Sequence, residues 1–516
     1  MTQTASARGL RQLARAAVTV MVMFVLSRIA GLAREIVISA RFGTSAELDA
    51  YLAAFRLPDL LFQLVAGGAL GSAFIPAFTE RLVQADHRSA WRMASSVVNW
   101  VFVLMTLLAL LIAALAQPLI AHVVAPGFPP EQQRLTATLM RWMLIATVVF
   151  GVSGIVMGIL NACQHFLLPA LAPVVYNLAI IAGAWFLAPR WGAHGLVIGA
   201  VAGAFGHLLV QLPGLWRQGA LYIPTLSARD PAVREVGKLM APRVLGLAAV
   251  QVNFLVNTIL ASQLPAGSLA ALNYAWLLML LPQGVIAQAV ATAAFPTFAT
   301  QVAHRAHEEM RATLNAILRV ILLLTAPASV GLIVLRMPLV RLLLERGAFD
   351  TDSTAAVTYA LAFYAAGLVS HSVVEVVSRA FYALHDTWTP VWVGLTAMTL
   401  NVALSLLLVH PLGHGGLALA NTLATTIEML GLLELMRRRL RGLGAWTLVQ
   451  SAIRAGVAAL LMGTLVWIWQ RGWGNGSAWW ASLSGILVGM ITYVGALWAL
   501  SRGEARALWR VMRRSS

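Results

Sequence analysis

Charge is scarce in this 516-residue chain: 11% of its residues are Asp, Glu, Lys or Arg, against 60% hydrophobic. A water-soluble fold needs about a quarter charged residues to cover its surface, so a globular protein in water is excluded. Lysine is nearly absent, with Lys238 the single one among 36 basic residues. The other cations are arginines, which do not lose their proton, so a buried cation here stays charged. Cys163 is the only cysteine, which excludes an intrachain disulfide and a thiolate metal cage. No P-loop, HExxH, GxSxG or paired-cysteine motif occurs, so no catalytic residue, metal ligand or cofactor is assigned. Without an ATPase domain, any transport must draw on an ion gradient, the membrane potential, a partner, or the substrate's own gradient. The net charge of +17 is not gathered on one face or arm, which argues against nucleic acid as a partner.

What is present is a series of long apolar runs. A helix crossing the hydrocarbon core needs about 20 apolar residues. Fourteen stretches qualify, near 17–41, 48–78, 93–117, 139–161, 167–188, 195–216, 239–262, 269–299, 313–335, 355–382, 388–410, 415–436, 449–470 and 478–501. They do not alternate as barrel strands would, so all are read as helices. Arg8, Arg11 and Arg15 before the run 16–26 imitate a signal peptide. The run continues through Arg28 without a cleavage site, so it is read as an uncleaved first span.

The basic residues orient these spans. With the N-terminus in the cytoplasm, 21 cations fall on the cytoplasmic side, seven outside and eight within spans. That bias predicts both termini inside and an even number of spans. The chain also repeats. Asn161–Pro169 parallels Tyr382–Pro390, Gly195-Leu196 parallels Gly416-Leu417, and Phe128 parallels Phe349, all at an offset of 221. Phe74–Phe78 parallels Ala294–Phe298 at 220. The expected fold is therefore an all-α polytopic membrane protein. It has two six-helix lobes, 1–216 and 239–436, related by a pseudo-twofold along the membrane normal. A cytoplasmic linker, 217–238, read as an interfacial helix or arm, joins them, and 437–516 adds two further spans and a basic tail.

Ionisable groups inside spans mark candidate sites, because an Arg at the bilayer centre costs roughly 2.5–3.5 kcal/mol on insertion scales. Arg28 and Glu35 are seven residues apart and share a helix face; Asp49 and Arg56 repeat the spacing, with Asp59 one turn beyond. Arg34 lies beside Glu35. Two readings stand: a hydrated cationic cavity for an anionic headgroup, or internal salt bridges (Arg28 or Arg34 with Asp49, Glu35 with Arg56) that hold helices together. Arg243 after Pro242 is the matching cation of the second half, or a side chain snorkelling to the surface. Asn253 and Asn257, at i and i+4, could line a polar cavity or bond neighbouring helices. Glu375 and Arg379 have ion-pair spacing, with His371 one turn earlier. His207 reads as a hydrogen-bonded interior histidine.

The runs Ser27–Glu35, Leu48–Tyr51 and Phe55–Leu61 resemble the signatures of the MurJ (MviN) family of lipid II flippases. So do Phe74-Ile75-Pro76, Ala125–Phe128, Pro169–Pro173, Glu345–Phe349 and Arg379–Leu384. The resemblance runs through the first twelve spans. It implies a fold of the multidrug/oligosaccharidyl-lipid/polysaccharide exporter superfamily that alternates between inward- and outward-open states. It also implies a polyprenyl-pyrophosphate lipid, lipid II, as substrate, moved from the inner to the outer leaflet of the bacterial cytoplasmic membrane. Cell-wall synthesis proteins are then candidate partners. Arg28, Arg34, Glu35, Asp49 and Arg56 match the family's charged positions, Glu35 standing for Asp and Arg56 for Lys. Phe62, Gln63, Gly67, Trp276 and Leu277 stand where the family carries charge. These departures keep three alternatives in view: a flippase for another polyprenyl-linked glycan, a drug exporter of the same superfamily, or a non-transporting scaffold for cell-wall synthesis.

Overall fold

The computed structural model describes residues 22–23, 25–65, 69–84, 87–226, 251, 253–473 and 476–500. Arg243, Lys238 and Gly67 lie outside the described residues, as do the basic tails. Among the described residues the secondary structure is helical throughout, and the chain divides into two units, Met1–Ala266 and Gly267–Ser516.

The first unit holds α1 (25–42), α2 (Ala46–Val65), α3 (Ala69–Val83), α4 (His87–Ala114), α5 (Pro130–Ala162), α6 (Leu167–Trp191), α7 (Ala193–Arg217) and α8 (Asn253–Ser262). Within it, α2, α4 and α7 pack around α5, and α6 packs on α7. The second unit holds α9 (Ser268–Ala303), α10 (His307–Val334), α11 (Arg336–Leu343), α12 (Thr351–Ala366), α13 (Leu368–Ala383), α14 (Trp388–Arg439), α15 (Ala445–Trp473) and α16 (Ala478–Leu500). There α10 packs against α13 and α15, and α15 against α16.

Nine of these helices are long and apolar enough to cross a bilayer among the described residues, and α12 with α13 forms a tenth, bent span. The 52-residue α14 is two helices merged at Gly413, whose backbone is non-helical, and covers two predicted stretches. Each of the fourteen stretches contains described helix. Large apolar side chains such as Leu107, Leu110, Trp185, Phe186 and Ile491 point outward. In water such a surface would aggregate, whereas a lipid solvent accommodates it. Trp191, Trp216, Trp388, Trp446, Trp473 and Trp479 are exposed at helix ends, where an aromatic belt belongs.

The backbone repeats with the sequence. Gly192 has φ 53°, ψ −137° and Gly413, 221 residues later, has φ 54°, ψ −136°. Gln164 and His385, again 221 apart, are both left-handed at φ 57° and 59°. The turn hydrogen bonds match as well: His165 N–H to Leu160 O at 2.8 Å corresponds to Asp386 N–H to Phe381 O at 3.0 Å.

The copies differ in one physical respect. The unbroken α5, 130–162, corresponds at that offset to 351–383, which is bent by 46° between α12 and α13. The bend sits at Gly367, where the first copy has Ala146. Thr422 Oγ1 donates to Phe363 O at 2.8 Å, taking the carbonyl to which the Gly367 N–H would donate in a straight helix. Gly367 N–H turns to Tyr364 O instead, at 2.9 Å. A hydroxyl inserted into the helical ladder is a recognised cause of a kink. A Cβ on Gly367 would meet Thr422 Oγ1 at 2.6 Å, and the first copy has Val201 in the threonine's place. Installing the first copy's pair, Gly367→Ala with Thr422→Val, should straighten the span. Spin labels at Ala355→Cys and Tyr382→Cys, in a Cys163→Ser background, should move apart by roughly 3 Å, from 1.5 Å rise per residue. An unchanged distance would show that other contacts impose the bend.

Of the predicted linker, Arg217 ends α7, 218–219 form a turn and 220–226 form an arm without helix. The arm is strapped to α4: Ile223 N–H donates to Ser95 Oγ (3.0 Å), Asn99 Nδ2 to Thr225 O (2.9 Å) and Tyr222 Oη to Asn99 Oδ1 (2.9 Å). Ser95 and Asn99 are one turn apart, so one helix face supplies every partner.

Candidate functional site

The polar residues expected in the first two spans gather in the first unit. Arg34 on α1 donates from Nε (3.1 Å) and Nη2 (2.5 Å) to the same oxygen, Glu35 Oε1. Its Nη1 donates to Asn177 Oδ1 on α6 at 3.1 Å. Asn177 is itself fixed, its Nδ2 donating to Pro173 O at 2.9 Å. A guanidinium carries five N–H donors. Three are engaged among the described residues, which leaves two, and 27% of the Arg34 side chain stays exposed while Glu35 is 8% exposed.

Arg56 on α2 reaches α8. Its Nε donates to Thr258 Oγ1 at 2.8 Å, and its guanidinium carbon lies 5.6 Å from the Phe254 ring centre. Phe254 and Thr258 are four residues apart and so face Arg56 together. Asn257, beside Thr258, has a buried Oδ1 with no hydrogen-bond donor among the described residues. Asn253 and Asp49 are both engaged, and Asp49 is 1% exposed. Arg28 is exposed on α1. Tyr176 lies in electrostatic range of Arg34, Glu35 and Asp59, and Asp59 in that of Arg56.

The Glu35 pairing differs from the expected one. Glu35 bonds its chain neighbour and not Arg56 across the helices, because Arg34 folds back along α1 within reach. Asn177, Thr258 and Phe254 were not anticipated as partners. Asn177 is the only amide in its apolar stretch, a signal the sequence carries. Glu47 was also missed: its Oε1 accepts from Ala193 N–H at 2.5 Å and caps α7, occupying space that a Cβ on Gly192 would fill.

Two of the departures, Phe62 and Trp276, are aromatic packing. Phe62 meets Phe150 edge-on at 5.8 Å, and Phe150 meets Tyr176 at 4.9 Å and His207 at 5.2 Å. His207 Nδ1 bonds Ser153 Oγ at 2.7 Å in the interior, as expected. In the second unit Trp276 meets Tyr364 at 5.2 Å and His371 at 5.3 Å. His371 Nε2 bonds Asn421 Oδ1 at 3.1 Å, directing it away from a relay with Glu375. Glu375 pairs with Arg379 at 2.8 Å, as its spacing predicted.

A sequence profile described as Lipid II flippase MurJ matches residues 38–483. The chain belongs to the MurJ family. A curated relative from Burkholderia cenocepacia, named Lipid II flippase MurJ, is 32% identical over 436 residues, covering 82% of this chain and 84% of the relative. A solved structure described as Lipid II flippase MurJ in an inward closed conformation superposes with TM-score 0.82 at 26% identity. It covers 94% of this chain and 99% of that one. An inward-facing multidrug resistance MATE family transporter of the MOP superfamily shares the fold at TM-score 0.69 and 16% identity, over 82% of this chain and 98% of that one. MurJ membership together with the apolar helices makes this a multi-pass protein of a bacterial inner membrane.

Proposed function

We propose that this protein is a flippase that moves lipid II, the polyprenyl-pyrophosphate-linked peptidoglycan precursor, from the inner to the outer leaflet by alternating access. The observation that carries the reading is Arg34. A cation embedded among membrane helices is held rigid by a carboxylate and an amide, yet keeps two N–H donors and open surface. A pyrophosphate can use those donors without dismantling the support, and charge-assisted hydrogen bonds to phosphate oxygens are the strong class. Arg28 and Arg56 extend the positive field along α1 and α2, and the buried Asn257 Oδ1 offers an acceptor to a sugar or peptide N–H or O–H. Phe62 and Trp276 supply aromatic surface at positions where the family carries charge, so this chain relies on fewer cations.

The covalent structure of the lipid does not change in this reading, and no side chain acts as acid, base or nucleophile. The arginine distribution supports both termini in the cytoplasm. The test is translocation of fluorescent lipid II in proteoliposomes, with and without a membrane potential. The outward-accessible fraction should rise with protein. No movement of lipid II, alongside movement of a different polyprenyl-linked glycan or a drug, would reassign the substrate. No movement of any of these would favour a scaffold.

A further inference from the structure

We propose that the turn joining α14 to α15 binds the phosphate headgroup of an anionic phospholipid of the inner leaflet. The leaflet assignment rests on the topology proposed above; the binding site itself does not. Arg437, Arg438 and Arg441 line a cleft of about 420 Å³ together with the turn Gly442–Ala445.

Arginines at the end of a helix usually neutralise its last carbonyls. Here the backbone already does so: Gly442 N–H donates to Arg437 O at 2.8 Å and Leu440 N–H to Met436 O at 3.0 Å. Arg336 and Arg346 show the ordinary arrangement, their guanidinium groups donating to Ile333 O and Leu342 O at 2.6 and 2.7 Å. Arg437 and Arg438 instead share one carboxylate, Glu434, at 2.7 and 2.8 Å, and face outward. Asp386 lies in electrostatic range of Arg439. Four arginines in 437–441 against these two acids leave a cationic excess at the cleft.

The cleft is preorganised. Leu440 and Leu443, on either side of the turn, are buried in the core of the second unit. The Asn315 amide donates to Leu443 O, and Gly442 and Gly444 take the positive φ values, 123° and 60°, that the turn requires. Arg311 Nη1 approaches from α10, 3.8 Å from where a Cβ on Gly442 would sit, and is paired with Glu308.

The surroundings favour a lipid over a free anion. Trp446, Val449, Ile453, Val457 and Leu460 form an exposed stripe at i, i+3/i+4 spacing that starts at the cleft and descends α15. A headgroup in the cleft would lay its acyl chains along that stripe, with Trp446 at the depth where interfacial tryptophans sit. The inner leaflet's negative surface supplies such lipids.

The experiment uses the purified full-length chain and measures bound phosphatidylglycerol and phosphatidylcholine by native mass spectrometry. Replacing Arg437, Arg438 and Arg441 together by Gln should weaken phosphatidylglycerol binding at least tenfold and leave phosphatidylcholine unchanged. The thermal unfolding midpoint, checked in parallel, should not move. Replacing the same three by Lys, which keeps the charge, should retain most of the binding. Undiminished phosphatidylglycerol binding by the Gln variant would overturn the proposal. So would displacement of the lipid by millimolar inorganic phosphate, which would make this a free-anion site. Labelling of Arg439→Cys (in Cys163→Ser) from outside the cell would overturn the leaflet assignment alone, and failure of lipid II transport would leave the binding result intact.

Discussion

Arg34→Ala should reduce lipid II translocation at least a hundredfold, and the double variant Arg34→Ala with Glu35→Gln should not recover it. Two effects are mixed in the single variant. Removing the guanidinium leaves Glu35, 8% exposed, as an unpaired carboxylate. Breaking a buried pair from one side costs about 3–5 kcal/mol, so stability should fall too. Glu35→Gln removes that stray charge and should bring the unfolding midpoint most of the way back. A hundredfold loss corresponds to about 2.7 kcal/mol of lost interaction with the translocating headgroup. One or two charge-assisted hydrogen bonds, at about 1.5–3 kcal/mol each, account for it. Translocation assayed in proteoliposomes at matched protein density separates the two. Recovery of transport in the double variant would mean that Arg34 only neutralises Glu35 and touches no substrate. Arg34→Lys should also fail, because an ammonium has three donors in place of five, and bonds to Glu35 and Asn177 leave it at most one, without the planar fork that a phosphate can engage twice.

What could be read in advance follows from what is local. Arg28, Arg34, Asp49 and Arg56 were visible because charge in an apolar run is conspicuous whatever surrounds it. The repeat was visible because turns depend on short segments: Gln164 and His385, or Gly192 and Gly413, keep their dihedrals wherever the copy sits. Partners across helices were not visible. Nothing in α1 says that Arg34 meets Asn177, 143 residues away, or in α2 that Arg56 meets Thr258, 202 residues away. Phe62 read as a lost charge, whereas its packing against Phe150 is a tertiary fact. The bend at Gly367 needs Thr422 from a different helix, so a glycine alone did not announce it.

Gly199→Leu should be among the most damaging single substitutions in the first unit, though it touches no charged residue. Helices in lipid gain little from burying apolar surface against one another and associate through close packing, which small residues permit. Gly195, Gly199 and Gly203 form such a row on α7. A Cβ on Gly199 would lie 2.8 Å from Ala179 O and 2.9 Å from Gly183 Cα, and one on Gly195 would lie 2.5 Å from Ala188 N. These obstacles are backbone atoms of α6, which cannot rotate away as a side chain can, so the helices must separate. Overpacking of this kind costs about 1–3 kcal/mol or more. The same displacement reaches the site. Gly203 packs on Tyr176, whose neighbour Asn177 holds Arg34. Gly199→Leu should therefore lower the unfolding midpoint by several degrees and impair translocation together. Gly456→Leu on α15 is the matched control: a Cβ there meets nothing within 4 Å, so both readouts should stay near those of the unmodified protein. Wild-type stability with lost transport in Gly199→Leu would mean that the glycine seam serves motion and not packing. Wild-type behaviour in both would mean that α6 and α7 need not approach to backbone contact, and that Arg34 is positioned without help from the seam.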